Sequence, residues 1–368
     1  MISGKTIFIA HNWSDVSVSY QSKWLATELS KDNTVIFFNA KKSGSAEMTI
    51  NDRLLVVEWP GKRPNGIKDL LFAIRLFRRY QPQLVISNFA ANDIMLFVAS
   101  FFAVSQRVCY YHTMVQQYIE DVGRLDLAQR INIWRKGFAF RRATHVLAVS
   151  SAAKADITRY YKVNPEKCFV FPNALPDTDT RHCGGNHSIG FLGRLQRSKG
   201  ADILLHAFKL LLTDIPGLRL LIAGSGEESA SLQELSHSLG IQDKVVFNGS
   251  ISYTAIHRFI ASLDVLAVPS RIDNLPTVIL EAFSVGTPVI ASNAGGIPDM
   301  IGHAVNGLLF ESGNAEDLAA NMLLLFNNET LRAKLSENAR STFEKRYSLR
   351  HYRERFEAVV EQPAAVGD

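Results

Sequence analysis

The sequence predicts an α/β protein with two domains, each built on a parallel β-sheet that helices cover on both faces. Short apolar runs of strand length alternate with longer helical segments along the whole chain, a pattern typical of parallel sheets. The 368 residues, of which 47% are apolar, are enough to form two separate hydrophobic cores. We expect the ligand to bind in the cleft between these two domains.

The predicted strands form two groups, which a polar segment separates. The first group is 6–10, 34–39, 54–58, 84–87, 107–111, 145–149 and 168–171, and the second is 189–192, 218–223, 245–248, 265–268, 289–291 and 307–310. The separating segment, 173–187, contains Pro176, Gly184 and Gly185 and is the predicted linker. We assign 1–172 to the N-terminal domain, 188–345 to the C-terminal domain and 346–368 to a helix that packs back on the N-terminal domain.

Composition and processing signals indicate a cytoplasmic protein. The longest apolar stretch, 94–104, has 11 residues, whereas a helix needs about 20 to span a bilayer. The first ten residues have a strand pattern without the apolar core of a signal peptide. Cys109, Cys168 and Cys183 are scattered along the chain, which fits a reducing compartment without structural disulfides.

Two acidic residues lie in the segment 269–288, around the start of a predicted helix. Asp273 and Asn274 precede Pro276, which suits the first turn of a helix, and Glu281 follows Asp273 by eight residues. On one helix this spacing places both carboxylates on one side, about 10 Å apart along the axis. The N–H groups of Asn274 and Leu275 would then face an anion. The alternative is that Asp273 only caps the helix and that Glu281 is solvated.

A pair of cations follows the first strand of the second group. Gly193 and Arg194 come at the end of this strand and directly after it, and Lys199 and Gly200 precede an apolar-striped helix over 201–212. Ligands of parallel sheets bind beyond the carboxyl ends of the strands, so cations at this position project into the ligand site. Arg194 offers a planar fork and Lys199 a compact charge, which together suit a diphosphate. The alternative is a solvated basic loop.

These motifs together resemble those of retaining glycosyltransferases with the GT-B fold, glycosyltransferase family 4. Gly-Arg-Leu followed by Lys-Gly resembles the donor diphosphate motif of that family. The acids resemble its signature of two carboxylates separated by seven residues, with Asp273 in place of the usual Glu. The resemblance implies two Rossmann-like domains facing a central cleft. It also implies sugar transfer from a nucleotide-diphosphate sugar with retention of configuration and without an essential metal or cofactor.

The resemblance also assigns roles to individual residues. The implied catalytic residues are Arg194, Lys199, Asp273 and His112, and the implied donor-binding residues are Gly193, Gly224, Gly226, Asn274, Leu275, Glu281 and Ser150. Within this set, Glu281 would bind the ribose, and Asp273 would lie nearer the transferred sugar. Gly224 and Gly226 follow the strand 218–223 and resemble the segment that closes the nucleotide pocket.

Three positions in the N-terminal half have more than one interpretation. His112 ends a strand where the family often has a histidine that contacts the donor sugar, although Thr113 follows instead of Asp; a structural histidine is the alternative. Ser150 follows the strand 145–149 as either a helix N-cap or a phosphate contact. The loop 11–17 lies on the acceptor side by resemblance, with Asn12 and Trp13 as candidates. Trp13 is either an apolar platform for a sugar or a core residue.

Basic and aromatic residues alternate on predicted helices of the N-terminal half. The basic residues are Arg75, Arg78, Arg79, Arg130, Arg135, Lys136, Arg141 and Arg142, and the apolar ones are Phe72, Phe77, Ile131, Ile133, Trp134, Phe138 and Phe140. A helix with cations on one side and aromatics on the other can lie on an anionic membrane surface. The alternative is a solvated face over a packed core. A lipid-linked acceptor at the inner face of the plasma membrane would explain the cluster.

The functional hypothesis is a hexosyltransferase of bacterial surface polysaccharide or lipopolysaccharide assembly. Its expected partners are a nucleotide sugar and a glycan or lipid-linked acceptor, and we expect no nucleic acid. Two rivals are a hydrolysing nucleotide-sugar epimerase of the same architecture and, because Asp273 replaces Glu, a non-catalytic subunit of a glycan-assembly complex. A nicotinamide dehydrogenase is disfavoured because no Gly-x-Gly-x-x-Gly follows the first strand.

Overall fold

The computed structural model describes residues 2–15, 17–40, 47–62, 64 and 66–363. The chain divides into two compact units. The first comprises Met1–Val115, Arg124–Leu175 and Leu349–Asp368, and the second comprises Gln116–Gly123 and Pro176–Ser348. Each unit has its own sheet, and the predicted class of two parallel-sheet α/β domains is confirmed. Val16 of the predicted acceptor-side loop and residues 364–368 of the predicted C-terminal helix lie outside the described residues.

The first unit contains an eight-stranded sheet with the order β3-β4-β2-β1-β5-β6-β7-β8. The strands are β1 (Thr6–Ala10), β2 (Thr34–Asn39), β3 (Glu47–Asn51), β4 (Leu54–Glu58), β5 (Leu84–Ser87), β6 (Gln106–Tyr111), β7 (His145–Ala148) and β8 (Cys168–Val170). The pairs from β4 to β8 are parallel. Their near-continuous apolar sequences fit strands that are buried on both faces.

One edge strand departs from the predicted alternation of strands and helices. The β3 strand pairs antiparallel with β4, and all five of its side chains are exposed. Sequence patterning did not predict this strand, because an exposed edge needs no apolar face for packing. The expectation of uniformly parallel sheets is therefore wrong at this edge.

Helices cover both faces of the first sheet. They are α1 (Ser17–Leu29), α2 (Ile67–Tyr80), α3 (Asn92–Phe101), α5 (Leu127–Phe140), α6 (Ser151–Tyr161) and α13 (Tyr352–Val360), while α4 (Val115–Val122) runs from the first unit into the second. The core on one face includes residues of α1 and α13, and the core on the other includes residues of α2 and α3. On α13, Tyr352, Phe356 and Val360 are all buried in the first of these cores.

The second unit contains a six-stranded, fully parallel sheet with the order β11-β10-β9-β12-β13-β14. Its strands are β9 (Ser188–Leu192), β10 (Arg219–Ala223), β11 (Val245–Gly249), β12 (Val265–Val268), β13 (Val289–Ser292) and β14 (Leu308–Phe310). Its helices are α7 (Ala201–Leu211), α8 (Ser229–Ser238), α9 (Tyr253–Ala261), α10 (Thr277–Val285), α11 (Ala315–Asn327) and α12 (Glu329–Thr342). The order of strands reverses direction at β9, which adjoins both β10 and β12. Parallel sheets bind ligands at the carboxyl ends of strands beside such a reversal.

Candidate functional site

The loops that follow β9 and β12 bring oppositely charged side chains together in the second unit. The ammonium group of Lys199 forms an ion pair with a carboxylate oxygen of Asp273. Gly193, Arg194, Lys199 and Asp273 all line one cavity of about 160 Å³. The sequence placed these four residues in one donor site, and the structure brings them to one cavity. The other predicted donor residues of this unit do not line it.

Arg271, a residue without a predicted role, connects the Lys199 loop to the Asp273 loop. Its main-chain N–H donates to the carbonyl of Ser198 over 2.8 Å. Its guanidinium donates two hydrogen bonds, of 2.8 and 2.6 Å, to the two carboxylate oxygens of Asp202 in the first turn of α7. Bidentate pairs of this kind fix direction as well as distance. Sequence reading missed Arg271 because its partner Asp202 is 69 residues away.

Two glycines allow the site loops to approach one another closely. Gly224 has a φ of 140°, and a Cβ at this position would lie 1.8 Å from the carbonyl oxygen of Gly193. Gly295 has a φ of 59°, and a Cβ there would lie 2.0 Å from the carbonyl oxygen of Asp273. Only glycine fits such contacts. The predicted site residue Gly224 therefore supports the loop that carries Gly193. Gly226 has the same kind of contact with the carbonyl oxygen of Leu195.

The predicted placement of Asp273 on the helix with Glu281 is wrong. The α10 helix begins at Thr277, and Pro276 is its N-cap residue, so Asp273 lies in the preceding loop. The separation that we calculated along one helix axis does not apply. The main-chain N–H of Asn274 donates to Asp273 Oδ1 over 2.8 Å, so this N–H is not open to an anion as we expected. Leu275 is buried next to it.

Glu281 lies in the middle of α10 and is only 4% exposed. The alternative interpretation of Glu281 as a solvated helix residue is therefore wrong. Burial raises the pKa of Glu281 from its ordinary 4.5 to about 7, because a charged carboxylate is poorly stabilised away from water. Near neutral pH both the protonated and the ionised form of Glu281 are therefore populated, and the ionised form can accept a hydrogen bond from a ligand hydroxyl.

In the first unit, His112 ends β6 within a group of aromatic rings. Its ring stacks on Phe89 with centroids 4.6 Å apart and on Tyr110 with centroids 5.5 Å apart. Its Nε2 donates to Asn88 Oδ1 over 3.0 Å. Burial, with a smaller contribution from the nearby His11, lowers the pKa of His112 to about 3. His112 is therefore a neutral imidazole at physiological pH, and it lines a cavity of about 340 Å³.

The remaining predicted residues of the first unit lie at three different places. Ser150 is the N-cap of α6, where its Oγ accepts from the N–H of Ala153 over 3.1 Å. The ring of Trp13 packs edge-on against Phe37 of the core, which is the second of the two interpretations given above. Asn12 is exposed and lines a cavity of about 150 Å³.

The helix α5 exposes an apolar stripe instead of burying it. Leu127, Ile131, Trp134 and Phe138 follow a spacing of four, three and four residues, and all are exposed, Trp134 by 69%. The inner face of the helix contains Gly137 and Phe140 instead. The packed-core alternative is therefore wrong for this stripe, and cations and apolar side chains share the outer face.

A metal-binding spacing occurs at Asp177 and Asp179, which read Asp-Thr-Asp. Both carboxylate oxygens of Asp177 accept from the guanidinium of Arg340, each over 2.6 Å. Among the residues that the structure describes, no three His, Cys, Asp or Glu side chains come close enough to hold a metal ion.

Family models match nearly the whole chain in two consecutive parts. Residues 23–178 match the model described as Glycosyltransferase Family 4, and residues 180–342 match the model described as Glycosyl transferases group 1. The chain belongs to glycosyltransferase family 4. The predicted membership of this glycosyltransferase family is thereby confirmed.

Individual relatives agree with this family. An uncharacterized glycosyltransferase of Haemophilus influenzae is 30% identical over 56% of this chain and 58% of its own length. The capsular polysaccharide biosynthesis glycosyltransferase CapM of Staphylococcus aureus is 25% identical over 80% of each chain. Anabaena HepE, solved in complex with UDP, superposes with a TM-score of 0.78 at 17% identity, over 98% of this chain and 100% of HepE. The last comparison shows the GT-B fold. This chain spans little more than half the length of the first relative.

Proposed function

We propose that this protein transfers a hexose from a nucleotide-diphosphate sugar to a glycan or lipid-linked acceptor, with retention of anomeric configuration, in assembly of a bacterial surface polysaccharide. The observation that carries this proposal is the single cavity lined by Arg194, Lys199 and Asp273 in the second unit. Family membership supports the reaction class. CapM, by its name, acts in capsular polysaccharide biosynthesis, and HepE was solved with UDP.

The two cations suit the leaving group of this reaction. As the bond from the sugar to the diphosphate breaks, negative charge grows on the departing phosphate. Preorganised cations stabilise such a charge without rearranging at the moment of reaction. Lys199 is already held by Asp273, and its loop is held by Arg271. We propose that these groups replace a divalent ion, so that the enzyme needs no metal.

Retention follows from attack on the same face of the sugar that the leaving group departs from. The acceptor hydroxyl forms the new bond to the anomeric carbon while the bond to the diphosphate breaks. A leaving phosphate oxygen takes the proton of the hydroxyl, so the protein supplies no covalent nucleophile. Its contribution is then to position both substrates and to polarise the breaking bond.

A donor screen followed by product analysis tests the reaction. We expect one nucleotide-diphosphate sugar to raise the melting temperature, since a ligand that binds only the folded state stabilises it. Incubation of that donor with saccharide acceptors in EDTA should give a glycoside whose anomeric ¹H coupling matches that of the donor. An inverted product would contradict retention, and activity only after adding Mg²⁺ would contradict metal independence. Conversion of the donor into an epimer would indicate the rival epimerase.

The exposed face of the first unit supports an acceptor at a membrane surface. The α3 helix packs against α5 and exposes Phe97 and Phe101, in addition to the α5 stripe defined above. Arg130 and Arg135 lie exposed beside these side chains, and Arg142 is half-buried. Isolated exposed apolar residues are ordinary, but a continuous apolar stripe flanked by cations is typical of helices that lie in a membrane interface. We propose that this face docks on an anionic bilayer at the cytoplasmic side.

No helix in the described part of the chain has both the length and the apolarity needed to cross a bilayer. The guanidinium of Arg141 donates to the carbonyl of Tyr161 over 2.8 Å, and that of Arg142 donates to the carbonyl of Phe138 over 2.7 Å. Arg135 pairs with Asp93 over 3.0 Å. Lipid phosphates would compete with these partners for the cations of this face.

Vesicle sedimentation tests the membrane proposal. We expect binding to phosphatidylglycerol vesicles to fall as salt rises, because each cation near the surface adds about 1 kcal/mol of attraction that salt screens. Replacing Arg130, Arg135 and Arg142 by Gln should weaken binding at low salt. As a control, replacing the exposed Lys209, Lys334 and Lys345 of the second unit by Gln removes the same charge. This control should leave vesicle binding unchanged. Equally poor binding of the wild type to anionic and neutral vesicles would reject the membrane surface.

A further inference from the structure

Three neighbouring strands of the first sheet carry a stack of rings just beyond their carboxyl ends. His11 follows β1, Phe89 follows β5 and His112 follows β6, and these strands are adjacent in the sheet. The Phe89 ring stacks on both imidazoles, with centroids 5.3 Å from His11 and 4.6 Å from His112. The planes are within 19° of parallel. Phe89 therefore joins the two histidines in one ring cluster, although much of its own surface stays exposed.

The backbone of Phe89 is strained. Its φ is 49°, in the left-handed region that a bulky residue rarely adopts. Such strain persists only where the surroundings enforce it, and it concentrates at functional sites. Core packing does not explain the choice of residue here, because the side chain remains 48% exposed. A glycine would adopt this backbone without strain. The presence of phenylalanine instead indicates that the ring itself has a role.

Phe89 lines two cavities. The larger, of about 340 Å³, is lined by Phe89, His112, Asn92, Asp93, Arg135 and Lys136, among others. The smaller, of about 150 Å³, is lined by Phe89, His11, Asn12 and Lys62, among others. Phe89 and Ala90 line both. The larger cavity alone reaches the size of ordinary small-ligand sites.

One wall of the smaller cavity has an unused polar group. His11 is 8% exposed, and its Nδ1 has no hydrogen-bond partner among the described residues. Burial lowers the pKa of His11 to about 4, so its ring is neutral at physiological pH. A buried polar atom without a partner is costly unless a ligand satisfies it. Neutral imidazole nitrogens suit a saccharide hydroxyl, which both donates and accepts.

We propose that Phe89 is a specificity-determining residue for the acceptor, whose terminal sugar occupies the larger cavity while the Phe89 ring closes off the smaller one. The proposal rests on the proposed function, because the charged donor candidates all lie in the second unit. The ring thereby limits the length or branching of the saccharide that the first unit holds. Removing the ring joins the two cavities and exposes the His11 imidazole to an additional sugar unit.

Two substitutions separate the effect of the Phe89 ring on the cavities from the effect of its strained backbone on stability. Phe89→Ala and Phe89→Gly both remove the ring, but only glycine relieves the left-handed backbone. We expect the glycine variant to unfold at a temperature a few degrees above the alanine variant. Leu71→Ala is the matched control, since it removes an exposed apolar side chain of the same unit that lines neither cavity.

Saccharide binding, measured by saturation-transfer NMR and calorimetry, tests the proposal without requiring turnover. The probes are the methyl glycosides of glucose, galactose, mannose and N-acetylglucosamine, with the corresponding di- and trisaccharides. We expect both Phe89 variants to raise the ratio of oligosaccharide to monosaccharide affinity by about tenfold, within the range for a reshaped pocket. The control should keep the wild-type ratio.

Each outcome decides the proposal. An unchanged ratio in both folded Phe89 variants rejects the wall, and so does a lack of binding of every saccharide to the wild type and to the variants. A raised ratio in a protein that transfers no sugar from any donor would uphold the wall and reject the transferase function. Sugar transfer together with an unchanged affinity ratio would uphold the transferase function and reject the wall.

Discussion

The candidate sites of the two units use different chemistry. The cavity of the second unit is lined by ionised groups, with Lys199 paired to Asp273 and Arg194 beside them. The strand ends of the first unit carry a stack of rings, whose imidazoles, His11 and His112, are both neutral. A departing diphosphate gains negative charge during transfer and needs fixed cations, whereas a saccharide changes little in charge and needs shape and neutral hydrogen-bonding groups.

The two regions also differ in how their residues are held. In the second unit, main-chain contacts and closely packed glycines fix the loops, as at Gly224 and Gly295. In the first unit, ring stacking holds Phe89 in a strained backbone. Glycine-packed loops give a site that is rigid in its backbone. A stacked ring gives a site whose limits depend on one side chain, which substitution can change without rebuilding the backbone.

The largest expected effect concerns the cations of the second unit. We expect Arg194→Ala and Lys199→Ala each to lower turnover by roughly 10²-fold or more, the typical loss when a preorganised charge is removed. Steady-state release of the nucleoside diphosphate measures this loss. Lys209→Ala, which removes an exposed cation from the far end of α7, should leave turnover unchanged. Near-normal turnover of both folded site variants would mean that the charged cavity does not serve the leaving group.

The next expected effect is a dependence of the unfolding free energy on pH. The contribution of Glu281 in the second unit falls as pH rises, whereas that of the imidazoles in the first unit falls as pH drops. Burial holds the pKa of Glu281 at about 7 against an ordinary 4.5, so the folded state binds the proton more tightly. Its stabilising contribution is complete below pH 4.5 and is lost as pH rises through 7. For the imidazoles the pKa is lowered instead, so their contribution is lost as pH falls below 6.5.

The substitution Glu281→Gln isolates the contribution of the second unit to this pH dependence. Each unit of pKa shift is worth about 1.4 kcal/mol, so we expect the variant to gain roughly 2–3 kcal/mol of unfolding free energy relative to the wild type between pH 5 and pH 8. Urea unfolding at the two pH values, read as the difference between variant and wild type, removes the contribution of the imidazoles. A difference that does not change with pH would show that Glu281 is ionised in the folded protein throughout this range.

Sequence patterns predicted the buried parts of the fold well because burial determines composition. The strands 54–58 and 265–268 were predicted to the residue, since their apolar runs pack on both faces. The β3 strand was missed because its five side chains are all exposed. Periodicity is a signal of packing, so an element that packs little leaves no such signal.

The candidate site was predictable in its residue types but not in its geometry. The motifs identified Arg194, Lys199 and Asp273, which do share a cavity. They could not show that α10 begins only at Thr277, or that Asp273 accepts from the N–H of Asn274. The strained φ of Phe89 and the bracing by Arg271 arise from contacts that are distant in sequence, so no local pattern contains them.

A smaller effect should separate the two acids within the second unit. We predict that Glu281→Gln weakens binding of the bare nucleoside diphosphate by roughly tenfold, because a hydrogen bond to a charged group contributes about 1.5 kcal/mol or more. Asp273→Asn should change this affinity much less, since Asp273 is already paired with Lys199. Calorimetric titration with UDP and GDP at pH 8 measures both. Equal losses in the two variants would reject the separate roles of ribose and sugar contact.

The smallest expected effect is an absence of titration in the first unit. With pKa values of about 4 for His11 and about 3 for His112, neither ring gains a proton between pH 5.5 and pH 8. The imidazole Cε1–H shifts of the two rings, assigned with His11→Asn and His112→Asn variants, should stay constant over this range in the folded protein. The same resonances in urea-unfolded protein should titrate near the ordinary value of about 6.5, which provides the control. A midpoint between 6 and 7 in the folded state would mean that the ring stack acquires charge near neutrality. The contrast between the ionic donor cavity and the neutral ring stack would then fail, because the stack itself would carry a cation under working conditions.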